Sequence, residues 1–327
     1  MKNIAIIGAG LSGLVAARQL GNVANVTIFE KSKGVGGRIA TRRSGLYSFD
    51  HGAQFFTPKT ELFKDFLKPM ILEGHIKRWD GDFVEIINRE FSFKHKWDAS
   101  LPHYVGAPSM NSFAKRLSVG TDIRQDTLVN SITRKNEYWQ IHDINQRLLG
   151  EYDWVIVSTP PEQALQLLPQ FPTFCSELVT PKMKACFSIM LGFDADLSLP
   201  FDAALPLGED ISWISVDSSK PDRGQAHCLL IHSTNDWADQ HLEDDRNKVL
   251  EYMIEETSNI LDRDLNCASH RDVHGWRFAN IERQVGKNYF LDTTHNVALC
   301  GDWFIKGRIE AAFTSGYEVA RAMETAL

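Results

Sequence analysis

Short apolar runs and one helical repeat organise the first thirty positions of the chain. Ile4–Ile7 is a continuous apolar run of the length expected for a buried parallel strand. Ser12–Leu20 then repeats apolar residues at helical spacing, and Val26–Phe29 forms a second apolar run. The pattern predicts a compact strand–helix–strand unit at the N-terminus.

The rest of the chain mixes strand-like and helix-like segments. With 327 residues it exceeds the roughly 250–300 at which a single core usually stops growing, so we expect two domains. No repeat, low-complexity tract or obvious linker separates the segments, and a second domain is therefore expected to be interleaved with the first. We predict helices at Phe63–Met70, 109–118, Asp244–Leu261 and Ile309–Met323, and strands within 75–105 and at 127–134, 137–142, 153–158, 185–193, 211–217, 226–233, 267–278 and Val297–Cys300.

A glycine-rich loop joins the first predicted strand to the first predicted helix. It reads G-x-G-x-x-G, in which Gly8 suits a tight turn, Gly10 the close approach of a pyrophosphate, and Gly13 close helix packing. The helix that follows presents free N–H groups to phosphate oxygens. Glu30 ends the second strand, where a carboxylate accepts hydrogen bonds from ribose hydroxyls. This context predicts a bound dinucleotide and leaves FAD and NAD as alternatives.

Composition argues against some classes of binding partner. Lys plus Arg is 35 against 42 for Asp plus Glu, a formal net charge of -7, which argues against general nucleic-acid binding. No apolar run approaches the roughly 18 residues of a membrane span. The first strand leaves no room for a leader, and the five cysteines are odd in number and widely spaced. We therefore expect a cytoplasmic protein with reduced thiols and no disulfide framework.

Two histidines in the last third of the chain have the spacing of a metal-binding pair. His270 and His274 read H-x-x-x-H, but we place them on a strand, where four residues span roughly 13 Å, too far to share one ion. We predict no metal site. The same strand puts His274, Trp276 and Phe278 on one face. That face either lines a cavity or is simply core of a second sheet.

A second glycine segment and the C-terminal region resemble the motifs of a known family. Gly34–Arg38 reads G-V-G-G-R and, with the loop and Glu30, resembles the FAD-binding signature of the flavin amine oxidase superfamily. Asp302, after an apolar strand, and residues 307–316 resemble the second FAD motif of that superfamily. Cys300 lies within the predicted buried strand, so we expect FAD to be bound without a covalent link.

Three further stretches resemble the renalases within that superfamily. Residues 49–56 resemble D-x-G-A-Q-aromatic, and residues 157–164 resemble S-T-P-P-x-Q-A. Residues 274–279 resemble the bacterial H-R-W-x-Y-A stretch, with Gly275 and Phe278 replacing Arg and Tyr. The last segment departs from G-R-V-E-G-A-F-L-S-G at Ala311. The resemblance implies substrate-pocket residues His274, Trp276, Arg277 and Phe278, and cofactor-binding residues Gly8, Gly10, Ser12, Gly13, Glu30, Lys31, Gly37, Arg38, Gln54, Phe55, Val129, Asp302, Ile309 and Glu310.

The resemblance also implies the architecture. We expect an α/β protein with a glutathione-reductase-type, Rossmann-like FAD-binding domain and an inserted α+β substrate domain on a mixed or antiparallel sheet. Residues 1–58, 106–166 and 285–327 are assigned to the FAD domain, and residues 59–105 and 167–284 to the substrate domain.

For function, the renalase resemblance implies hydride transfer to flavin N5 from 2- or 6-dihydro isomers of NAD(P). NAD(P)+ would be the product, and O2 would reoxidise the flavin to H2O2. A flavin-containing amine oxidase is the alternative, because it shares every FAD motif. A third hypothesis is a non-enzymatic, FAD-bound redox sensor.

Overall fold

The computed structural model describes residues 1–168 and 182–327. Residues 169–181 of the predicted substrate domain lie outside the described residues. The described helices are α1 (Leu11–Leu20), α2 (Glu61–Leu72), α3 (Ser112–Ser118), α4 (Pro161–Leu167), α5 (Asn235–His241), α6 (Arg246–Leu261) and α7 (Ile309–Glu324). The described strands are β1 (Lys2–Ile7), β2 (Ala24–Phe29), β3 (Arg42–Ser44), β4 (Tyr47–Phe49), β5 (Ile76–Arg78), β6 (Asp82–Ile87), β7 (Glu90–Lys96), β8 (Tyr104–Gly106), β9 (Asp122–Arg124), β10 (Val129–Lys135), β11 (Tyr138–Asp143), β12 (Leu148–Tyr152), β13 (Trp154–Val157), β14 (Lys184–Phe193), β15 (Ala203–Leu207), β16 (Ile211–Val216), β17 (His227–Ser233), β18 (His270–Asn280), β19 (Phe290–Asp292) and β20 (Val297–Leu299).

The first sheet has six strands in the order β19-β20-β13-β1-β2-β9. All neighbours pair in parallel except β19, which runs antiparallel along β20 at one edge. The central strands β1 and β13 are apolar because α1 and α7 cover one face and the small antiparallel sheet β10-β11-β12 lies on the other side. The N-terminal strand–helix–strand prediction is confirmed.

The second sheet has seven strands in the order β18-β14-β17-β16-β15-β6-β7. Its neighbours are antiparallel except β15 and β6, which run in parallel, so the sheet is mixed as predicted. Helix α6 buries Val249, Met253 and Ile254 against one face. The opposite face of β18, β14 and β17 is turned toward residues 47–54 of the first part of the chain.

Apolar packing links the two sheets. Helix α2 lies in the segment that we assigned to the substrate domain, yet its Phe63 ring packs 4.9 Å from Phe313 of α7. Phe49 in β4 is fully buried against Met190 and Leu230 of the second sheet. The domain division stays a prediction, and these contacts pack the two parts of the chain against each other. No described helix has both the length and the apolarity required to cross a membrane.

Candidate active site

The first glycine loop packs against protein atoms on one side and faces open space on the other. Gly8 takes φ +107°, and its N–H donates to the Phe29 carbonyl at 2.8 Å. A Cβ on Gly13 would lie 2.3 Å from the Gly8 carbonyl oxygen, so the helix packs directly on the loop. A Cβ on Gly10 would meet no protein atom within 4 Å, and no side chain caps the first turn of α1. Open space therefore faces the free N–H groups of the helix.

The second glycine segment lies against the first loop. The Gly36 N–H donates to the Ala9 carbonyl at 2.9 Å. Gly36 and Gly37 both adopt positive φ, +117° and +56°, which side chains rarely tolerate. The Cβ position of Gly37 lies 3.4 Å from Gly10 Cα. The two segments form a single cradle of bare backbone.

Glu30 is held at the end of β2 by backbone donors. Its carboxylate accepts from the Ala9 N–H and the Ser32 N–H, both at 2.8 Å. Each oxygen retains acceptor capacity for a ribose hydroxyl. Val129 is buried at the start of β10 close by, where the Thr127 N–H donates to the Glu30 carbonyl, whereas Lys31 is exposed.

The two motifs that lie furthest apart in sequence meet in an ion pair. Arg38 donates to Asp302 with both terminal nitrogens, Nη1 to Oδ2 at 2.8 Å and Nη2 to Oδ1 at 2.5 Å. Arg38 Nη1 also donates to the Ala279 carbonyl at 3.1 Å, at the end of β18. This two-pronged geometry fixes both side chains. It joins the cradle, the C-terminal motif and the second sheet at one point.

Helix α7 begins beside the same point. No side chain caps its first turn at Ile309. A Cβ on Gly316 would lie 2.3 Å from the Ser12 carbonyl oxygen, so α7 packs on the start of α1. The Glu310 carboxylate accepts from the Lys59 and Thr60 N–H groups, both at 2.8 Å, and thereby anchors the start of α2. Its side chain is therefore engaged in the fold, and only its backbone is free for a cofactor.

This arrangement fits an extended flavin dinucleotide. Two uncapped helix starts supply N–H donors and partial positive charge for phosphate and carbonyl oxygens. Glu30 and Asp302 would supply acceptors for sugar and ribityl hydroxyls, and Arg38 would supply a planar cation. The open space at Gly10 is what a pyrophosphate requires.

An aromatic and imidazole cluster adjoins this cradle on the second sheet. His274 and Trp276 of β18 have ring centroids 4.3 Å apart, and both lie about 5 Å from the His51 ring. Trp276 Nε1 donates to the His51 carbonyl at 2.8 Å. Two residues on, the Ala53 N–H donates to the Arg38 carbonyl at 2.9 Å. The cluster is thus tied to the residue that pairs with Asp302.

The histidines of this cluster are neutral at neutral pH. Burial lowers the pKa of His51 to about 3, and His274 and Arg42 add to the effect. Burial, then Arg42, lowers the pKa of His274 to about 4. Arg42 also pairs with Asp272 at 2.7 Å. The cluster therefore presents flat, uncharged rings beside the Arg42–Asp272 ion pair.

The other two pocket candidates have different positions. Arg277 is exposed on the opposite face of β18 and pairs with Glu243 at 2.5 Å, so the structure does not bring it into the cluster. Phe278 packs against the core cluster that contains Trp303. At Gly275 a Cβ would lie 3.2 Å from the Arg246 guanidinium, which occupies the space beside the strand.

Gln54 belongs to a buried charged network that sequence reasoning missed. Its Oε1 accepts from Lys220 Nζ at 3.1 Å and from Ser215 Oγ at 3.0 Å. Lys220 is paired with Asp217 and lies 3.5 Å from Asp50, and Arg223 pairs with Asp50. Phe55 is not part of this network. Its ring lies beside those of Trp97 and His103, with ring centroids 5.1 and 4.7 Å away.

The network shifts the pKa values of its two carboxyl groups in opposite directions. Burial raises the pKa of Asp50, but Lys220 and Arg223 outweigh it and hold that pKa below its ordinary value. Burial dominates at Asp217 and raises its pKa. In sequence, Lys220-Pro-Asp-Arg follows a strand in a polar stretch typical of a solvated loop, and no spacing signals burial. Within residues 1–168 and 182–327, no group of three or more His, Cys, Asp or Glu is placed to hold a metal ion.

Comparisons with known proteins agree with this geometry. A family model described as an NAD(P)-binding Rossmann-like domain matches residues 6–69, and one described as flavin containing amine oxidoreductase matches residues 91–324. A candidate protoporphyrinogen oxidase from Exiguobacterium sp. 255-15 is similar in structure, with TM-score 0.78, 12% identity and coverage of 100% of this chain and 99% of that chain. A putrescine oxidase triple mutant gives TM-score 0.75 at 11% identity, covering 100% and 99% of the two chains. Putrescine oxidase bound to putrescine gives 0.72 at 11% identity, covering 99% of each.

The structural similarities establish the fold, and the family match covers well over half of the chain. The predicted fold class, a Rossmann-like dinucleotide domain combined with a mixed-sheet domain, is confirmed. The chain belongs to the flavin-containing amine oxidoreductase family, and it is an oxidoreductase whose cofactor is FAD.

Proposed function

We propose that the protein is an FAD-dependent oxidase of 2- or 6-dihydro isomers of NAD(P). The observation that carries the proposal is the cluster of His51, His274 and Trp276 beside the Arg38–Asp302 pair. Flat, neutral rings of this kind suit a dihydronicotinamide ring. Each aromatic contact is worth about 0.5–1.5 kcal/mol beyond burial.

The chemistry that bound FAD supplies is two-electron acceptance: hydride from ring carbon 2 or 6, with release of NAD(P)+, and transfer of both electrons to O2, which with two protons gives H2O2. The protein's own residues position the reacting ring. Trp276 is fixed for this role by its hydrogen bond to the His51 carbonyl. His274 is fixed by packing edge-on to Trp276 at 74°. No side chain has to remove a proton from a dihydronicotinamide.

An amine oxidase needs a different device. Its substrate arrives as an ammonium ion and reacts as the neutral amine, so the site must accept a proton. His51 and His274, with pKa values lowered to about 3 and about 4, are poor acceptors. Arg42 balances the nearest carboxylate, Asp272. These features favour a neutral or anionic substrate over a cationic one.

Rapid anaerobic mixing tests the proposal. We expect the 6-dihydro isomer of NAD to bleach the holoenzyme flavin quickly, and putrescine, benzylamine and ordinary NADH to bleach it slowly or not at all. Fast bleaching by an amine alone supports the amine-oxidase alternative. Absence of turnover with every donor supports the redox-sensor hypothesis.

Replacing Trp276 isolates the stacking contact. Trp276→Ala should raise the apparent dissociation constant of the isomers about tenfold, because the loss of one aromatic platform costs about 1.4 kcal/mol. FAD content should stay at the parent level. Trp276→Phe keeps a ring and loses only the His51 hydrogen bond, so it serves as the matched control. If the flavin of Trp276→Ala is reduced at the same isomer concentrations as the flavin of the parent protein, the cluster does not bind the nicotinamide ring.

The mode of FAD attachment gives a separate prediction. Cys300 is fully buried, and burial raises the pKa of its thiol to about 12, so a reactive thiolate is not formed there. We expect acid precipitation to leave the yellow FAD in the supernatant. Colour that stays with the pellet would show a covalent bond and contradict this expectation.

A further inference from the structure

We infer that a cationic cavity at the start of α7 is the subsite for the pyrophosphate of the substrate dinucleotide; this inference rests on the proposed function. The cavity has a volume of about 350 Å³. That is close to the lower end for ligand pockets, enough for a diphosphate and an adjoining sugar. Its wall is formed mainly by Lys184, Asn280, Glu282, Arg283, Lys306 and Arg308.

Two backbone segments form the cavity and join it to the active site. The Gln284 N–H donates to the Ile305 carbonyl at 2.7 Å, and the Gly307 N–H donates to the Ile281 carbonyl at 3.1 Å. A Cβ on Gly307 would lie 2.3 Å from Asn280 Oδ1, so the segments are in direct contact. One segment begins next to Ala279, whose carbonyl accepts from Arg38. The other leads into the first residue of α7, so the cavity borders the FAD cradle.

The charge of the wall is opposite to that of the whole protein. Four cations and one carboxylate line the cavity, whereas the chain carries a formal charge of -7. Lys184 is balanced by Asp236 at 2.9 Å and Glu282 at 4.0 Å. Arg283, Lys306 and Arg308 form no ion pair with any other described residue. Three unbalanced cations in one cavity favour a multiply charged anion and disfavour an ammonium ion.

A pyrophosphate matches this arrangement better than a single carboxylate. Two arginines provide planar, two-pronged donors for phosphate oxygens, and Lys306 provides a third cation. A phosphate at this position could also be the 2′-phosphate of NADP isomers, which has the same chemistry. The wall residue Asn280 lies four residues after Trp276 on β18, at most about 13 Å along a strand, a separation that suits the backbone of a nicotinamide nucleotide rather than its ring.

The test uses the holoenzyme and an Arg283→Gln/Lys306→Gln double variant. ADP-ribose is the binding probe, measured by calorimetry, because it carries the pyrophosphate without a reacting ring. We expect its dissociation constant to rise about tenfold or more in the variant. The control is Lys135→Gln, which removes an exposed charge on β10 that does not line the cavity and should leave ADP-ribose binding unchanged.

Flavin reduction separates this inference from the proposed function. In the double variant we expect the apparent dissociation constants of 6-dihydro-NAD and 6-dihydro-NADP to rise together, and that of the phosphate-free 6-dihydro riboside to stay constant. A rise for 6-dihydro-NADP alone would assign the cavity to the 2′-phosphate and overturn the pyrophosphate assignment. ADP-ribose binding unchanged by the variant would overturn the subsite while isomer oxidation stands. Loss of ADP-ribose binding without any isomer oxidation would keep the subsite and reject the proposed function.

Discussion

Gly10→Ala should remove FAD from the protein without unfolding it. A methyl group at Gly10 meets no protein atom within 4 Å, and φ -69°, ψ 174° is ordinary backbone for alanine. The methyl would instead enter the space that the pyrophosphate requires. Losing two charge-assisted N–H contacts costs about 3–6 kcal/mol, so FAD affinity should fall about a hundredfold or more. The measurements are FAD content after dialysis and the melting temperature of the apoprotein.

Two other glycines provide the comparison. Gly224→Ala also adds a methyl group in open space, away from the cradle, and should change neither FAD content nor stability. Gly13→Ala would place its methyl 2.3 Å from the Gly8 carbonyl oxygen, so it should destabilise even the apoprotein. If Gly10→Ala retains FAD as tightly as Gly224→Ala, the cradle is assigned to the wrong ligand.

Lys220→Met should lower the free energy of unfolding by about 3–5 kcal/mol, because it leaves the buried Asp217 carboxyl group without its cation. The Lys220 side chain is 0% exposed and contacts Asp217, Asp50 and Gln54. The surface variant Lys64→Met, which breaks a 2.7 Å pair with Glu61, should cost less than about 1 kcal/mol. Urea unfolding of each apoprotein compares the two.

A double variant separates the network from simple loss of packing. Asp217→Asn/Lys220→Met removes both the cation and its nearest carboxylate and should recover part of the lost stability. Equal stability for the single and double variants would mean that the charge balance does not contribute.

Apolar patterns predict the strands of both sheets except the short β9 and β19 of the first sheet and β15 of the second. Apolar runs and the glycine loop specify β1, α1 and β2 locally, and they form as predicted. Strand β15 was not predicted, because Pro206 and its short length hide it, and only its parallel pairing with β6, far away in sequence, makes it a strand. The helix α5 is likewise short and polar, and its burial of Ala238 depends on tertiary packing.

The candidate site, too, could be predicted from the sequence only in part. Motif spacing predicted the cofactor segments, and the Arg38–Asp302 pair brings them together. The resemblance includes Arg277 among the pocket residues, but successive side chains of a strand alternate between its faces, so Arg277 lies on the face opposite Trp276 and pairs with Glu243. The Asp50–Lys220 network joins residues that are 170 positions apart. Lys220 lies in a polar stretch of the sequence, and only the folded chain reveals that it is buried.

An anaerobic titration of the holoenzyme with the 6-dihydro isomer of NAD tests isomer oxidation most directly. The visible flavin band and the NAD+ formed are measured together. We expect complete bleaching at one equivalent of isomer, one NAD+ released per flavin, and full recovery of the band with formation of H2O2 when air is admitted. Bleaching by putrescine with no response to the isomer would contradict this expectation.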